Sequence, residues 1–399
     1  MSMRSPILAI LLTLMVLFPC SQTWAQGSPE VLWRTNAHYR PLTALALSSN
    51  GSKVATGALE DGFYGHVRVW ASGSATLLKE LTLYNHDDVF CLAWSPDGTY
   101  LAQGGAGDDG RLRVWRVSDW GLTWYEFGGD SLITLAFSRD SRLLAELNNR
   151  GDNLAVRDPL NGSGHGNTDD YPPSGAMTCV AFSPKNDTLA TGSADGSVTL
   201  WDYTNGLSLE RSILRNYTGQ SGSISAVAFL PDGKQIASAS EDATLLIDRL
   251  SDGAITRTIQ DSNAIGAMAV SPDGKTILTR STNLKFWRVS DGVLLQVYDQ
   301  ETQGAGPVAI SGDGKYFAYG RSDGVLVLAW MPLWIDAATQ AHGEITFHCQ
   351  GGSGRYQVQA RSSLSSGSWQ DLGGPSTNAI FTHACLSPMF YRVQGLPNP

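Results

Sequence analysis

Residues 178–202 read TCVAFSPKNDTLATGSADGSVTLWD. An apolar run precedes a turn at Asn186-Asp187, a second run follows it, and a turn at Asp195-Gly196 leads into a third run that ends at Trp201. Asn, Asp and Gly are the residues that tight turns between strands require, because they tolerate positive φ. The stretch therefore predicts three antiparallel strands joined by two hairpins.

The first of these turns recurs along the chain at an interval of roughly 40 to 47 residues, which is the length of one propeller blade. The seven turns are Asn50-Gly51, Asp97-Gly98, Asp140-Ser141, Asn186-Asp187, Asp232-Gly233, Asp273-Gly274 and Asp313-Gly314. A single four-stranded sheet cannot cover both of its faces, so such repeats stack around a ring. The repeats predict an all-β fold in which residues 30–332 form a seven-bladed β-propeller.

The fourth repeat resembles the WD-repeat family, down to its terminal Trp201-Asp202 pair. In that family a Trp, a strand Ser or Thr, a hairpin Asp and a loop His form a buried hydrogen-bonded network that fixes each blade. The matching residues are His38, Thr56, Asp61 and Trp70 in the first repeat, His86, Asp109 and Trp115 in the second, and Thr191, Asp195 and Trp201 in the fourth. The resemblance implies a structural role for these residues, not a catalytic one.

Some repeats depart from the family pattern. Gln103 stands where the second repeat should have a hydroxyl, Pro172-Pro173 lies near the histidine position of the fourth, and Asp248 replaces the Trp of the fifth. Each lost network removes on the order of a few kcal/mol of buried hydrogen bonding, and we expect apolar packing between blades to offset it.

The two ends of the propeller sequence complement each other. The seventh repeat stops after its third strand, at Val325 to Trp330, whereas an unmatched strand, Glu30 to Thr35, precedes the first complete repeat. Pairing the two removes exposed sheet edges. The sequence predicts that residues 31–34 close the ring beside residues 325–329.

The repeat period stops at Pro332. Residues 333–342 read as a linker, and residues 343–395 as a small β module with strands at 345–349, 356–360, 368–372 and 390–393. This segment resembles the compact β-sandwich modules that end many exported bacterial proteins. Cys349 and Cys385 fall within it and are predicted to form a disulfide, with two separate buried thiols as the alternative.

The N-terminal residues 1–25 have the features of a cleaved signal peptide: a positive charge at Arg4, an apolar stretch from Ile7 to Phe18, and a small residue at Ala25. We expect a secreted or periplasmic protein without a membrane span. Lipidation of Cys20 is the alternative, although Pro19 stands where a lipidation site needs a small residue.

Composition restricts the partners. The formal net charge is −9, and the 28 Lys and Arg residues are scattered along the chain, whereas nucleic-acid binding needs them clustered. The sequence indicates no cofactor, no metal site and no catalytic motif in a supporting context. We expect a monomer whose partner is a protein or other macromolecule.

The longest connection within the propeller, residues 161–173, is the candidate binding loop. It contains His165, Asp169, Asp170 and Tyr171, and long loops are often functional. A flexible solvated insertion, a protein contact and a metal or catalytic site are the three interpretations. We expect the loop to project from the ring and to be dispensable for folding.

Two functions remain open at this point. The first is a noncatalytic exported scaffold that binds another macromolecule through loops on one face of the ring. The second is an exported propeller enzyme, a hydrolase or lyase acting on carbohydrate, with its site at the central channel. An enzyme requires several carboxylates or histidines with perturbed pKa values converging on the site.

Overall fold

A computed structural model describes residues 31–58, 64–84, 88–106, 112–126, 130–168, 175–204, 212–298, 306–332, 334–341, 344–350, 356–361, 370–371, 380–384 and 390–395. The chain divides into two compact units, of which Val31–Ala329 is the larger.

The bounded elements are β-strands throughout, most of them four to eight residues long. In chain order they are β1 Val31–Asn36, β2 Leu42–Leu47, β3 Lys53–Ala58, β4 Tyr64–Ala71, β5 Leu77–Tyr84, β6 Asp88–Trp94, β7 Tyr100–Ala106, β8 Leu112–Arg116, β9 Gly121–Glu126, β10 Leu132–Phe137, β11 Leu144–Asn148, β12 Leu154–Arg157, β13 Gly164–Asn167, β14 Met177–Phe182, β15 Thr188–Ser193, β16 Val198–Asp202, β17 Ile213–Tyr217, β18 Ile224–Phe229, β19 Gln235–Ser240, β20 Thr244–Arg249, β21 Ile255–Gln260, β22 Ala267–Val270, β23 Thr276–Arg280, β24 Leu284–Arg288, β25 Leu294–Tyr298, β26 Val308–Ile310, β27 Tyr316–Gly320, β28 Val325–Trp330, β29 Trp334–Ala341, β30 Glu344–Gln350, β31 Tyr356–Arg361, β32 Gln370–Asp371, β33 Ile380–Ala384 and β34 Phe390–Gly395.

The larger unit is a seven-bladed β-propeller, as the repeats predict. Six blades are four-stranded meanders in chain order, β2 to β5, β6 to β9, β10 to β13, β14 to β17, β18 to β21 and β22 to β25. We number them blades 1 to 6. The first strand of each blade contacts the first strand of the next, and β26 contacts β2, so the ring is complete.

Blade 7 contains the closing strand. Its order is β1-β28-β27-β26, and β1 pairs antiparallel with β28, with Arg34 opposite Val327. The indole nitrogen of Trp33 also donates a hydrogen bond of 2.6 Å to the carbonyl oxygen of Ser72, in blade 1. The predicted closure by the N-terminal strand is confirmed, because the last repeat lacks a fourth strand and the N-terminus supplies it.

The recurrent turn between the first two strands of a blade has a local chemical cause. In blade 2, Ser95 Oγ donates to Asp97 Oδ1 at 2.6 Å, and the same carboxylate oxygen accepts from the Thr99 amide at 2.9 Å. Gly98 has φ +75°, a conformation that favours glycine. The Ser and Asp side chains satisfy turn amides that the ladder leaves without partners.

The core consists of apolar clusters, several of which span neighbouring blades. One combines Trp94 and Leu101 of blade 2 with Val67 and Leu83 of blade 1. Hydrogen bonds add to this packing: Thr178 Oγ1 in blade 4 donates to the carbonyl of Ile224 in blade 5 at 2.5 Å. Each blade therefore covers the exposed face of its neighbour, which explains why one repeat is not stable alone.

The predicted binding loop is in part a strand. Gly164–Asn167 forms β13, the outer strand of blade 3, where Ala155 pairs with Asn167 and Arg157 with Gly164. The expectation of a projecting loop over residues 161–173 is therefore wrong for its first half. Gly, His and Asn have low strand propensity, but the exposed edge of β12 needs a partner for its backbone groups.

The C-terminal residues form two three-stranded sheets, β29-β30-β33 and β32-β31-β34. The predicted linker contains a strand, since Trp334–Ala341 pairs antiparallel with Glu344–Gln350, with one shift of register between Ile335 and Ala337. Ile380–Ala384 is a second strand that the sequence analysis did not predict. Cys385 lies outside the described residues, so the predicted disulfide with Cys349 stays a prediction.

Candidate interaction site

Blade 1 brings together three of its four predicted network residues. The indole nitrogen of Trp70 donates to Thr56 Oγ1 at 3.1 Å, and His38 Nε2 lies 3.1 Å from the same oxygen. Arg68 reaches the other ring nitrogen of His38 at 3.4 Å. These groups are buried, so the hydroxyl of Thr56 links the loop before β2 to the third strand. Asp61 lies outside the described residues.

Blades 4 and 6 repeat the central contact. Trp201 donates to Thr191 Oγ1 at 2.9 Å, and Trp287 donates to Thr279 Oγ1 at 2.8 Å. Asp195 does not join this contact; its carboxylate accepts from the amide and hydroxyl of Ser197 and so shapes the hairpin. The sequence analysis did not identify Thr279, although its place in the strand before Trp287 was the available signal.

Blade 2 carries the Gln103 departure. Trp115 is buried in the apolar cluster between blades 1 and 2, whereas His86 and Asp109 lie outside the described residues. Gln103 is fully buried, and neither atom of its amide has a hydrogen-bond partner among the residues that the structure describes.

Blade 3 replaces the Trp and Thr by a charged pair that the sequence analysis missed. Leu144 pairs with Arg157 as Leu189 pairs with Trp201, so Arg157 occupies the tryptophan position. Arg157 Nε donates to Glu146 Oε1 at 2.7 Å, and its Nη2 donates to Glu126 Oε1 of blade 2 at 2.8 Å. Although burial lowers it, the two carboxylates raise the pKa of Arg157 above its ordinary value. The available signal was a Glu within the apolar strand β11.

Blade 5 replaces the network differently. Gln220, on the loop before β18, accepts from the Ser238 hydroxyl at 2.7 Å and donates to the Thr244 carbonyl at 3.0 Å. Asp248 pairs with Ile236 and so occupies the tryptophan position. Only 4% of Asp248 is exposed, and burial raises the pKa of its carboxyl to about 6. The buried polar residues of the blades thus serve contacts within the ring.

A groove of about 720 Å³ opens among blades 2, 3 and 4. Its walls are the turns that follow the first strands and the turns that follow the third strands. The lining residues are Asp97, Thr99, Tyr100, Asp140, Ser141, Arg142, Leu143, Val156, Asp158, Pro159, Leu160, His165, Asp187, Tyr203 and Thr204. We call it the turn-face groove. It combines four carboxylates with an apolar and aromatic wall, and it also contains Arg142, whose Nε lies 4.0 Å from Asp140 Oδ2.

The repeat itself positions the carboxylates of the groove. Asp97 and Asp140 sit at equivalent turns and accept from Ser95 and Ser138, at 2.6 and 2.7 Å. Burial raises the pKa of each, but hydrogen bonds from these serines and from turn amides hold both pKa values below the usual range. Asp158 accepts from the amide of Leu160 at 2.7 Å. Asp97 and Asp140 are therefore ionised at neutral pH.

The carboxylates of the groove influence the pKa of the Tyr203 hydroxyl. Burial, followed by the carboxylates of Asp187 and Asp140, raises the pKa of its hydroxyl to about 12. The ring is fixed edge-on to Phe182, with 5.1 Å between centroids. The groove thus offers a cation a negative field together with a fixed aromatic surface.

The structure describes only one of the four residues singled out in the predicted binding loop. His165 lines the groove and is exposed on β13, whereas Asp169, Asp170 and Tyr171 lie outside the described residues.

Within the described ranges, no group of His, Cys, Asp and Glu has the geometry to hold a metal ion. In the described part of the chain, no helix is long and apolar enough to cross a membrane.

Three segments match the WD40 family, described as "WD domain, G-beta repeat": residues 78–116, 164–202 and 211–247. Each segment includes the outer strand of one blade, or most of it, and extends into the third strand of the next blade. The second segment begins at Gly164, where β13 begins. The spacing of the repeat thus contained a signal for this strand that the sequence analysis did not use.

The chain is also similar to proteins from plants, animals and fungi. THO complex subunit 3 from Arabidopsis thaliana is 27% identical over 58% of this chain and 82% of that protein. Angio-associated migratory cell protein from Canis lupus familiaris is 28% identical over 57% of this chain and 52% of that protein. Nuclear distribution protein nudF from Aspergillus niger is 32% identical over 37% of this chain and 34% of that protein.

For the last two proteins the similarity spans about half and about a third of their lengths. WD40 propellers bind proteins or macromolecular complexes. The matched segments cover strands of blades 2, 4 and 5, and the other blades have the same four-stranded architecture. The chain therefore contains three segments that match the WD40 repeat, within a seven-bladed β-propeller.

Proposed function

We propose that this propeller is a noncatalytic scaffold that binds a basic segment of another protein in the turn-face groove. The observation that carries the proposal is the convergence of Asp97, Asp140, Asp158 and Asp187 from three neighbouring blades on one concave surface. Lys and Arg side chains complement this charge, and Tyr100 and Tyr203 provide faces for their aliphatic stems.

The groove favours binding over catalysis. A general acid needs a pKa near the working pH, but the pKa values of Asp97 and Asp140 are lowered by their turn hydrogen bonds. Their carboxylates are ionised and fixed by the fold. Such groups can form a lasting electrostatic contact with a basic partner. In this groove no observation supports the hydrolase or lyase alternative.

The proposal includes export. Its support is the composition of residues 1–25, together with the resemblance of residues 343–395 to modules of exported bacterial proteins. Expression of the full chain followed by fractionation and N-terminal sequencing tests this. Recovery outside the cytoplasm with a new N-terminus after Ala25 is expected, and an intact Met1 in the cytoplasmic fraction contradicts export.

The binding proposal is tested with defined peptides. A fluorescent oligolysine peptide and an oligoglutamate peptide of equal length are titrated into the protein at low and at physiological salt. We expect only oligolysine to bind, with an affinity that falls as salt rises. The double variant Asp140→Asn/Asp187→Asn should weaken binding about tenfold, on the scale of one or two charge contacts.

The matched control is Asp232→Asn/Asp273→Asn. It removes the same charge from equivalent exposed turns in blades 5 and 6, outside the groove. Affinity close to that of the unchanged protein is expected. An equal loss in both double variants would mean that net charge, not the groove, attracts the peptide, and it would overturn the assignment.

A further inference from the structure

The joint between blades 4 and 5 contains a buried carboxyl in the position of a tryptophan. Asp248 stands opposite Ile236 on one side and Ile255 on the other. Among the described residues, none donates a hydrogen bond to its carboxyl group. An ionised carboxylate in such apolar surroundings is costly unless it is paired.

A second buried polar group faces this carboxyl. Tyr217, on the outer strand of blade 4, belongs to the cluster that contains Ile236. Its hydroxyl is buried and has no hydrogen-bond partner in the described part of the chain. Burial, and then the charge of Asp248, raise the pKa of Tyr217 against the opposing effect of Arg215. Asp252 also acts on it.

The joint between blades 2 and 3 also lacks a tryptophan, but its buried polar groups are paired with one another. Glu126 pairs with Leu112 on the outer strand of blade 2, just as Tyr217 pairs with Val198 on the outer strand of blade 4. Glu126 forms an ion pair of 2.8 Å with Arg157, the residue at the tryptophan position of the next blade. At the joint of blades 4 and 5, the equivalent positions hold a phenol and an acid.

We propose that this joint is a proton-sensitive contact, closed when Asp248 is a neutral acid and loosened when Asp248 ionises. The Tyr217 hydroxyl can accept from the neutral acid and can donate to the carboxylate, so a hydrogen bond between them does not decide between the two states. The cost of a charge buried beside Ile236 and Ile255 decides in favour of the neutral acid. Ionisation places a charge between apolar strands.

The direction of the pH dependence follows from the raised pKa. Burial raises the pKa of Asp248 from 3.8 to about 6, so the folded protein binds this proton more tightly than the unfolded chain. Its contribution is fully present below about pH 4 and is lost as pH rises to about 6. The two pKa values differ by about two units, which corresponds to a roughly 100-fold change in the opening equilibrium.

The test follows the joint directly in the purified protein. Hydrogen exchange, corrected for the intrinsic pH dependence, is measured on peptides that cover β17 and β20 between pH 4.5 and 8. Protection is expected to fall roughly 30-fold across this range, since part of the change lies below pH 4.5, while peptides of blade 1 stay constant. Asp248→Asn should abolish this dependence, and Asp232→Asn, an exposed change in the same blade, should preserve it.

Carbon-13 NMR of labelled aspartate in the unchanged protein gives an independent reading, which does not depend on whether a variant folds. The carboxyl resonance of Asp248, assigned by correlation to the backbone of the same residue, is expected to titrate near pH 6. Titration of Asp248 near or below pH 4 overturns it. Protection of β17 and β20 that does not respond to pH overturns it as well.

Discussion

At the scale of single residues, the side chain at the tryptophan position of the third strand determines which buried hydrogen bond holds that strand to the second. Blades 1, 4 and 6 use an indole that donates to a threonine hydroxyl. Blade 3 uses the guanidinium of Arg157 and the carboxylate of Glu146. The geometry of the strands is the same, so different side chains can meet the same need for a buried hydrogen bond.

The hydrogen bond between Trp201 and Thr191 predicts how much stability the propeller loses when its acceptor is removed. Thr191→Val preserves the shape of the side chain but leaves the buried indole nitrogen without its acceptor, which should destabilise the propeller by about 1–3 kcal/mol. Chemical denaturation monitored by tryptophan fluorescence measures this. Thr218→Val, an exposed change in the same blade, should shift the free energy of unfolding by less than about 0.5 kcal/mol. Equal effects would contradict the role of the hydrogen bond.

The cysteines give a second prediction at this scale. Burial raises the pKa of Cys179 to about 11, and that of Cys91 further still, so both thiols should react slowly with iodoacetamide in the folded protein. Cys349 and Cys385 are predicted to be joined by a disulfide, which would stabilise their module by roughly 4 kcal/mol in the chain-entropy model. Mass spectrometry of alkylated, nonreduced protein checks both statements. Alkylation of Cys349 and Cys385 would exclude the bridge.

At the scale of elements, the outer strands determine whether a blade is complete. β13 is short and contains two glycines, yet it covers the edge of β12 and brings His165 to the groove. The exposed edge of an unpaired strand favours association with other chains. An outer strand with low intrinsic propensity is therefore retained by its pairing.

Removal of this strand tests that conclusion. Replacement of residues 163–168 by a Gly-Ser segment of equal length should lower the melting temperature by several degrees, because the ladder with β12 is lost and Thr168 no longer bonds the Leu154 amide. Calorimetry gives the value. Replacement of residues 170–173, outside the described strand, is the comparison. An unchanged melting temperature in the first variant would restore the interpretation as a dispensable loop.

At the scale of the whole molecule, the ring depends on one strand from each end of the repeat array. β1 covers the edge of β28 and is anchored to blade 1 by the Trp33 indole. Loss of this strand would expose the edge of β28 and uncover the apolar cluster against which Leu32 and Trp33 pack.

Deletion of residues 26–36 should therefore open the ring. We expect loss of a sharp unfolding transition and self-association through the free edge of β28, measured by calorimetry and by light scattering coupled to size exclusion. A synthetic peptide of residues 29–37 added in trans should restore the monomer. A deletion variant that stays monomeric with an unchanged transition would show that β1 is not needed for closure.

The sequence by itself determined the number of blades, the position of the hairpins and the closing strand, since these depend on a local period and on turn residues such as Asp97-Gly98. It determined the tryptophan positions for the same reason. The replacement of Trp by Asp248 in the fifth repeat was also visible, whereas only the tertiary structure showed what replaces the tryptophan contact of blade 3. Glu146, Arg157 and Glu126 come from two blades and have no common motif, and they meet because the strands place them at one joint.

The same holds for the candidate site. Asp97, Asp140 and Asp187 were visible as turn residues, and their local role gave no reason to group them. Packing of three blades side by side brings these turns to one groove and places Asp158, His165 and Tyr203 between them. The strand β13 was hidden because its stability comes from pairing with β12 and not from its own residues. Contacts between distant segments are a property of the closed ring, which no local pattern in the sequence encodes.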